Sequence, residues 1–297
     1  MNRRNFIQLS SVAAAATLLP ISCISTDASK KYKLGYQLYS IRDLMDVDPV
    51  NTLKSLKAMG YQDFETYGLD TSNLGYYGYK ASDFKNILDD LELSVSSGHY
   101  GFSDYLEKTD DELLRYVDFC IEGAKALGAR YITWPWMDHK YRNMEGFYLL
   151  TKKLNRIGER VTNAGLGFAY HNHGYEFEDH NGTHGFEAIL KETDPELVKF
   201  QMDMYWVMHE NRSTPKEMVA AQPGRYVMWH IKDMHRVSRD YTELGNGSID
   251  YPTLLPDPKT SGLEYYYIEQ GGNFSVNSEE SARTSAKYFK AELQRYL

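Results

Sequence analysis

Cysteine is scarce in this chain of 297 residues, which has only Cys23 and Cys120. Two such thiols offer no framework of structural disulfides. Cys120 lies within an apolar helical pattern, so we expect it to be a small residue of the core rather than a reactive thiol. The hydrophobic fraction of 42% allows that core to be large.

Positive charge is also in short supply. Lys and Arg number 33 against 41 Asp and Glu, the net charge is −8, and the basic residues form no cluster. This composition argues against a nucleic-acid partner, which would need a basic surface. The sequence also has no P-loop and no glycine-rich dinucleotide loop, because residues 35–38 after the start of the first predicted strand contain a single glycine.

A long apolar run is missing from the N-terminus as well. Residues 13–19 are small and apolar, but the run is too short to span a bilayer. Together with Arg3 and Arg4 it predicts a bacterial twin-arginine export signal, with a disordered cytoplasmic tail as the alternative. Residues 19–23 are similar to a lipoprotein cleavage box apart from Pro20, and Cys23 would then carry the lipid. We predict a signal peptide and tether over residues 1–31, and a mature protein that is periplasmic or held at the membrane only by lipidation.

Short apolar runs that alternate with amphipathic stretches fill the rest of the chain. The runs are rich in Tyr, Phe, Val and Ile, as strands are. They recur about every thirty residues, which is the length of a βα unit. The predicted strands cover residues 33–39, 63–66, 94–99, 131–135, 167–171, 199–204, 226–231 and 265–269.

The stretches between these strands have apolar residues at helical spacing, as at Leu53, Leu56 and Met59. Several end at a glycine, including Gly60 and Gly128, as expected of left-handed helix caps. A last helix over residues 279–296 would close the ring. Eight strands alternating with helices predict an α/β fold, a single (β/α)8 TIM barrel over residues 32–297, with an open Rossmann-like sheet as the alternative.

Acidic and histidine side chains stand at the ends of the last three predicted strands. In a parallel barrel these ends meet around one mouth, where the active site lies. Asp203, His230 and Glu269 would converge there, although each taken alone has the simpler interpretation of a turn or cap residue. Buried charges are costly unless they are paired or bound to a cation. We predict that the three bind a divalent metal ion, with Mn, Zn, Co, Fe(II) or Mg as candidates.

The fifth strand leaves its assignments open. His171 and His173 lie on the same side of an extended strand, because side chains alternate along it. One of them is predicted to bind the metal and the other to move a proton, with a hydrogen bond to a neighbouring loop as the alternative. Glu176 is a second candidate for the fourth metal ligand, or for the base.

Further candidates lie at other strand ends. Lys232 would hold a substrate oxygen or form a salt bridge with a carboxylate. For the residues expected to bind substrate, a role in the core or at the rim of the barrel is the alternative. Trp136 is a further candidate, either for stacking on a sugar ring or for packing in the core. These substrate-binding candidates are Gln37, Glu65, His99, Trp134 and Trp206.

Five segments resemble the strand motifs of the xylose-isomerase-like barrel family: residues 35–43 the first strand, 170–177 the fifth, 202–207 the sixth, 229–234 the seventh and 267–270 the eighth. The resemblance implies a metal-dependent enzyme that acts on a small sugar by proton transfer next to a carbonyl group. Many epimerases of the family carry a metal-binding Glu at the end of the fifth strand, where this chain has His171.

Two enzymatic hypotheses follow from the resemblance. In an isomerase or epimerase, Glu269 or a strand-five residue takes a proton from carbon and the proton returns. In a lyase or dehydratase on a 3-keto-glycoside or keto-polyol, a leaving group departs after the same first step. A non-catalytic sugar-binding barrel is the third alternative. The family's DNA-repair endonucleases are disfavoured by the acidic charge and the export signal. The oligomeric state stays open.

Overall fold

The computed structural model describes residues 32–297. The predicted twin-arginine pair, the apolar run and Cys23 lie outside these residues, so the export signal and the lipid anchor stay predictions. Within residues 32–297, none of the helices has both the length and the apolar character needed to cross a bilayer.

A closed barrel of parallel strands forms the centre of the described chain, with each strand hydrogen-bonded to the next in sequence and the last to the first. This confirms the predicted (β/α)8 barrel. The eight barrel strands are β1 (Gly35–Gln37), β2 (Asp63–Thr66), β3 (Ser94–His99), β4 (Tyr131–Trp134), β5 (Gly167–His171), β6 (Lys199–Asp203), β7 (Met228–Ile231) and β8 (Tyr265–Ile268). Three of them, β2, β3 and β5, have the predicted bounds.

Helices surround the barrel and connect its strands. Two short antiparallel ribbons, Gly75–Tyr76 with Tyr79–Lys80 and Asp233–Met234 with Tyr241–Thr242, lie in the loops. The helices are α1 (Arg42–Met45), α2 (Pro49–Met59), α3 (Ala81–Asp90), α4 (Asp110–Leu127), α5 (Met144–Asn163), α6 (Gly185–Glu192), α7 (Met204–Glu210), α8 (Pro215–Ala221), α9 (Tyr251–Leu254), α10 (Pro258–Ser261) and α11 (Ser278–Tyr288).

Local sequence signals set several helix ends. α4 begins with a capping box, in which Thr109 accepts from the backbone N–H of Glu112 and the Glu112 carboxylate accepts from that of Thr109. It ends at Gly128, whose φ of 75° is left-handed, and α2 ends likewise at Gly60 with φ 99°. Glycine adopts this conformation without the steric cost that a side chain imposes, which is why both ends were readable in the sequence.

The last helix differs from its prediction. Only Ser278–Tyr288 is α-helical, after which the chain widens into a π-helical turn over Phe289–Leu293 and tightens into a 3₁₀ turn over Gln294–Tyr296. Phe289 and Leu293 are both fully buried against the barrel. The prediction of one continuous α-helix over residues 279–296 was therefore wrong after Tyr288.

Alternation along the strands separates two apolar layers. Tyr131, Ala169, Met228 and Tyr267 belong to a small cluster, distinct from the large core. Because strand side chains alternate between faces, the residues two positions further along point the same way. His171, His230 and Glu269 stand two positions after Ala169, Met228 and Tyr267, so this small cluster lies beneath them in the barrel interior.

Candidate active site

Four side chains converge at one mouth of the barrel. His171, Asp203, His230 and Glu269 each offer a ligand atom, and these atoms all lie within 4.8 Å of one another. They come from the C-terminal ends of β5 to β8, where residue pairing sets Asp203 beside His230. The three side chains predicted from strand ends are thus brought together, and His171 joins them as the fourth.

His230 lies between two carboxylates. Its Nε2 donates to Glu65 Oε2 at 2.6 Å and its Nδ1 to Glu269 Oε2 at 2.8 Å. Burial alone would lower the pKa of His230, but Glu269 and Glu65 outweigh it and raise the pKa to about 9. Glu65 thereby fixes the ring, so that Nδ1 is the nitrogen turned toward Glu269.

Gln201 orients the other two histidines. Its Nε2 donates to Glu65 Oε1 at 2.7 Å, which leaves its Oε1 to accept from His171 Nδ1 at 2.9 Å and from His99 Nε2 at 2.7 Å. With Nδ1 of His171 engaged, its Nε2 faces Asp203 Oδ2 at 3.6 Å. A ring nitrogen held in this way presents the opposite nitrogen as a ligand.

The ammonium of Lys232 bridges the two carboxylates of the cluster. Its Nζ lies 2.7 Å from Asp203 Oδ2 and 2.5 Å from Glu269 Oε2. Burial alone would raise the pKa of Glu269, but Lys232 and His230 hold it well below its usual range. The two carboxylates therefore hold a cation between them, and the predicted salt bridge of Lys232 is present.

The donor set fits a divalent metal ion. Two imidazole nitrogens and two carboxylate oxygens converge, each oriented by a neighbour, and the carboxylates already attract a positive charge. A mixed nitrogen and oxygen set suits Zn, Mn, Co or Fe(II) better than Ca. His171, Asp203, His230 and Glu269 are the residues that would hold the ion.

A cavity of about 510 Å³ opens above this cluster. His99, His171, His173 and Glu269 line it, and the remaining wall consists of four aromatic side chains together with Gly101 and Pro135. The pKa of His173 is lowered to about 3, first by burial and then by the charge of Lys232, so its imidazole is neutral. Its Nδ1 is buried without a hydrogen-bond partner among the described residues. A substrate in this cavity would meet three histidines and a carboxylate.

Gln37 and Glu65 do not reach the cavity, contrary to the prediction that they bind substrate. Both side chains are fully buried. Glu65 accepts hydrogen bonds from two glutamines, from His230 and from Ser97, and its Oε2 lies 3.0 Å from His99 Nε2. Burial would raise its pKa, but the neighbouring His99 and His230 hold it below the usual range. Glu65 is thus an ionised carboxylate in the barrel interior that positions the side chains of the site. Gln37 Nε2 donates a hydrogen bond of 2.7 Å to Glu65 Oε2.

Glu176 is likewise not part of the cluster. The chain turns after β5 into a 3₁₀ segment, Tyr175–Phe177, which folds Glu176 back against β5. Its carboxylate accepts from the Tyr170 hydroxyl at 2.6 Å and from the His173 backbone N–H at 2.9 Å. The prediction of Glu176 as a metal ligand is replaced by His171, because these two bonds hold Glu176 to the strand it follows.

The predicted tryptophans occupy three different environments. Trp134 is fully buried, stacks on Phe102 and donates its indole N–H to the Trp136 carbonyl, so it packs in the core rather than binding substrate. Trp136 is 41% exposed and lines the cavity. Trp206 lines a neighbouring cavity, which shares Trp136 and His173 with the first.

Several contributors to the site were missed by sequence reasoning, among them Gln201 and the cavity tyrosines Tyr39, Tyr67 and Tyr100. Gln201 is the buried amide that joins Glu65 to two histidines, and Tyr67 lines the cavity. Gln201 carried a readable signal, since a polar residue inside an apolar strand, two positions before Asp203, faces the same side. Tyr67 carried none, because it follows β2 in a sequence with 25 tyrosines.

Comparison with known proteins agrees with this architecture. The family pattern of the xylose isomerase-like TIM barrel matches residues 53–292. A sugar phosphate isomerase/epimerase from Parabacteroides distasonis is 26% identical, with a TM-score of 0.77 over 93% of this chain and 99% of that one. An inosose dehydratase from Clostridium botulinum is 24% identical over 251 residues, 72% of this chain and 80% of its own. The IOLI protein with a bound zinc atom shares the fold, with a TM-score of 0.68 at 16% identity over 89% of this chain and 99% of that one.

Proposed function

The chain belongs to the xylose isomerase-like TIM barrel family, and we propose that it is a divalent-metal-dependent enzyme that isomerises or epimerises a sugar by moving a proton next to a carbonyl group. The observation that carries this proposal is the convergence of His171, Asp203, His230 and Glu269 below a cavity. Among the proteins named above are a sugar phosphate isomerase/epimerase and an inosose dehydratase, which supports a reaction on a sugar or a related polyol.

The bound metal ion would polarise adjacent oxygens of the substrate and make the neighbouring carbon–hydrogen bond more acidic. Lys232, 2.5 Å from Glu269 Oε2, would balance the negative charge that develops on a substrate oxygen. The buried floor keeps water away from these groups and strengthens their interactions.

Proton transfer falls to the groups that line the cavity. Glu269 is the carboxylate among its lining residues, and we assign it the removal of the proton from carbon. His173 lines the cavity with a neutral ring, because burial and the charge of Lys232 lower its pKa to about 3, and it would form a hydrogen bond with a substrate oxygen. His99 is held by Gln201 and Glu65 and would orient a substrate hydroxyl.

Deuterium exchange tests the proposal. The full chain, purified and analysed for metal content, is incubated with D-fructose and with a 3-keto-D-glucose in deuterated water. We expect deuterium at the carbon beside the carbonyl, lost on chelation and in Asp203→Asn, and restored by added Mn²⁺ or Zn²⁺ in the parent protein. Lys153→Met, a buried lysine that pairs with Asp110 away from the site, serves as the control. Purified protein with no bound metal and no exchange with any keto-sugar would end the proposal.

A lyase is the second candidate, favoured by the match to inosose dehydratase over 80% of that protein's length. The first step is the same: Glu269 removes a proton beside the carbonyl. The electron pair then forms a carbon–carbon double bond, and a hydroxide or alkoxide leaves from the next carbon and takes up a proton. The same incubation separates the two reactions, because the lyase releases water or an aglycone and forms an unsaturated ketone.

Export of the enzyme is a separate proposal, supported by Arg3, Arg4 and the apolar run after them. Fractionation of bacterial cells that produce the full chain tests it. We expect the mature protein outside the cytoplasm, and retention of an Arg3→Lys, Arg4→Lys variant inside it.

A further inference from the structure

Lys232 occupies a fixed position that its own strand does not secure. Strand β7 ends at Ile231, and Lys232 is the residue that follows it. The Lys232 ammonium nevertheless lies 2.7 Å from Asp203 Oδ2 and 2.5 Å from Glu269 Oε2. A lysine has a flexible four-carbon stem, and fixing it in one place costs conformational entropy. Contacts outside the strand must therefore hold the main chain from which this side chain extends.

The hydroxyl of Tyr251 takes the place of a strand neighbour for Lys232. It accepts from the Lys232 backbone N–H at 2.9 Å and donates to the Lys232 carbonyl at 2.6 Å. Tyr251 is fully buried. Buried backbone groups without a partner are costly, so one hydroxyl satisfies both main-chain polar groups of Lys232 where the strand ends. The two bonds also hold the main chain of Lys232 at one point.

Asp233 fastens the loop that runs from Lys232 to Tyr251. The Asp233 carboxylate accepts from four backbone N–H groups of this loop at 2.8–3.2 Å, those of Met234, Gly245, Gly247 and Ile249. Hydrogen bonds to an ionised carboxylate are stronger than those between neutral groups. A Cβ at Gly247 would collide with this carboxylate, so only a glycine allows so close an approach. The loop therefore follows a fixed course back to Tyr251.

The same loop brings an aromatic ring to the Lys232 ammonium. Asp233–Met234 pairs with Tyr241–Thr242 as an antiparallel ribbon. Lys232 Nζ lies 5.2 Å from the centre of the Tyr241 ring and 5.8 Å from that of Tyr205. An ammonium within about 6 Å of a ring centre is attracted by the ring. A shift of the loop would therefore remove one side of the surroundings that hold the ammonium.

From these contacts we propose that Tyr251 and Asp233 are positioning residues that aim the Lys232 ammonium at the two carboxylates of the cluster. Tyr251 fixes the main chain of Lys232, and Asp233 fixes the loop that carries Tyr241. Neither Tyr251 nor Asp233 is among the described residues that line the cavity above the cluster, so each acts through Lys232. The value of this position for catalysis rests on the proposed function, whereas the position itself can be measured without metal or substrate.

Lysine-selective ¹⁵N NMR of the chelator-treated full chain tests the position of the ammonium. An ammonium held by buried carboxylates exchanges its protons slowly, so Lys232 should give a signal that Lys232→Met removes. The buried Lys153, whose ammonium contacts Asp110 at 2.8 Å, should give a second signal as an internal reference. We expect Tyr251→Phe and Asp233→Asn to raise proton exchange at Lys232 about tenfold and to leave Lys153 unchanged.

Two matched variants separate positioning from a general loss of packing. Tyr61 is also a fully buried tyrosine, and its hydroxyl donates to the Ala282 carbonyl at 2.9 Å. Asp63 is also a buried aspartate, but it begins strand β2 and so lies at the opposite end of the barrel from the cluster. Tyr61→Phe and Asp63→Asn should leave proton exchange at Lys232 at the parent rate.

Metal binding provides a second measurement. The ammonium occupies the carboxylates that would bind the ion, so a displaced ammonium should let Mn²⁺ bind about threefold more tightly in Tyr251→Phe. Titration calorimetry measures this gain, which should vanish when Tyr251→Phe is made in the Lys232→Met background. A gain of equal size in that background would show that Tyr251 does not act through the ammonium, and would overturn the inference.

The outcomes separate the positioning role from the proposed reaction. A parent protein that binds no Mn²⁺ would sink the reaction and leave the NMR measurement to decide the positioning role. Proton exchange at Lys232 that is unchanged in Tyr251→Phe, or raised equally in Tyr61→Phe, would overturn that role. So would a parent protein without a slowly exchanging Lys232 signal. Tyr251→Phe keeps the test decisive if Asp233→Asn does not fold.

Discussion

Two fully buried glutamates, Glu65 and Glu176, have pKa values that are shifted in opposite directions. Glu65 stands in the barrel interior, where the neighbouring His99 and His230 hold its pKa below the usual range against the effect of burial. Glu176 stands behind β5 with two neutral donors, and burial raises its pKa to about 7. Burial is equal at the two positions, so the partners decide which carboxylate is ionised.

The comparison explains their different tasks. An ionised Glu65 holds His230 by Nε2 and stabilises its positive charge, which makes Glu65 a positioning residue of the site. Glu176, whose pKa is raised to about 7, accepts from the His173 backbone N–H and so fixes the turn that carries His173. A carboxylate with a raised pKa is often taken as a catalytic acid. In this protein Glu65, whose pKa is lowered, acts on the site through His230. Glu176, whose pKa is raised, has a structural role.

The largest effect is expected from Glu65→Gln, which tests the central glutamate. The change keeps the size of the side chain but leaves His99 and His230 without their common carboxylate. We expect the free energy of unfolding at pH 7 to fall by about 3–5 kcal/mol, as when one partner of a buried ion pair is removed. Urea unfolding of the chelator-treated protein measures it, and the pKa of His230 should fall from about 9.

The same substitution at Glu176 is the matched control. Both side chains are fully buried glutamates, so a loss of similar size in Glu176→Gln would show that burial, and not the ionised partners, makes Glu65 important.

Glu176→Gln is expected to change the pH dependence of stability. Because the pKa of Glu176 is raised from 4.5 to about 7, its contribution to stability is complete below about pH 4.5 and is lost as the pH rises through 7. Over this pH window the free energy of unfolding of the parent protein should fall by on the order of 3 kcal/mol. The variant should not show this decrease. Urea unfolding between pH 4.5 and 8.5 measures the difference between the two proteins, and parallel curves would contradict the raised pKa.

Lys232→Met tests whether the Lys232 ammonium competes with a metal ion for Asp203 and Glu269. Its ammonium contacts Asp203 and Glu269, so a metal ion must share or displace that interaction. We expect the variant to bind Mn²⁺ or Zn²⁺ about tenfold more tightly, equivalent to about 1.4 kcal/mol, and to lose activity. Titration calorimetry of the chelator-treated protein measures the affinity.

Lys153→Met is the control for Lys232→Met, since Lys153 is also buried and pairs with Asp110 at 2.8 Å. Its metal affinity should stay at the parent value. Weaker metal binding in Lys232→Met than in the parent protein would mean that the lysine assists the ion instead of competing with it.

Tyr170→Phe has the smallest expected effect. It removes the hydroxyl that donates to Glu176 at 2.6 Å, which raises the pKa of Glu176 further and costs about 1 kcal/mol at pH 8. Urea unfolding at pH 5 and pH 8 measures it, and the loss should be larger at pH 8. In the Glu176→Gln background the pH dependence of this loss should disappear; if it persists, the hydroxyl does not act through Glu176.

Much of the site could be predicted from the sequence, because the C-terminal ends of parallel barrel strands lie at the same mouth of the barrel. Asp203, His230 and Glu269 could be predicted as neighbours from their positions at consecutive strand ends, since a closed ring leaves them no other place. The prediction that Glu65 and Gln37 bind substrate was wrong, because the order of residues at strand ends does not show how deep each side chain lies. Inward-facing residues of different strands sit at different depths, and the stagger of the strands decides which are covered and which meet the cavity.

The choice between His171 and Glu176 shows the second limit. His171 is the last residue of β5 and Glu176 lies five residues later, and both have side chains that bind metals. The turn at Tyr175–Phe177 decides between them, because it directs Glu176 to Tyr170 and leaves the end of the strand to His171. Loop conformation of this kind depends on long-range packing and not on residue type.

The sequence alone determined the barrel, its strand order and the chemical character of its mouth, because hydrophobic periodicity and the spacing of strand-end residues are local properties of the chain. Only the tertiary structure decided which carboxylate is ionised, which histidine nitrogen faces the cluster and which tryptophan meets the cavity. These depend on hydrogen bonds and burial among residues up to 165 positions apart, as between Glu65 and His230. Such contacts exist only once the ring is closed.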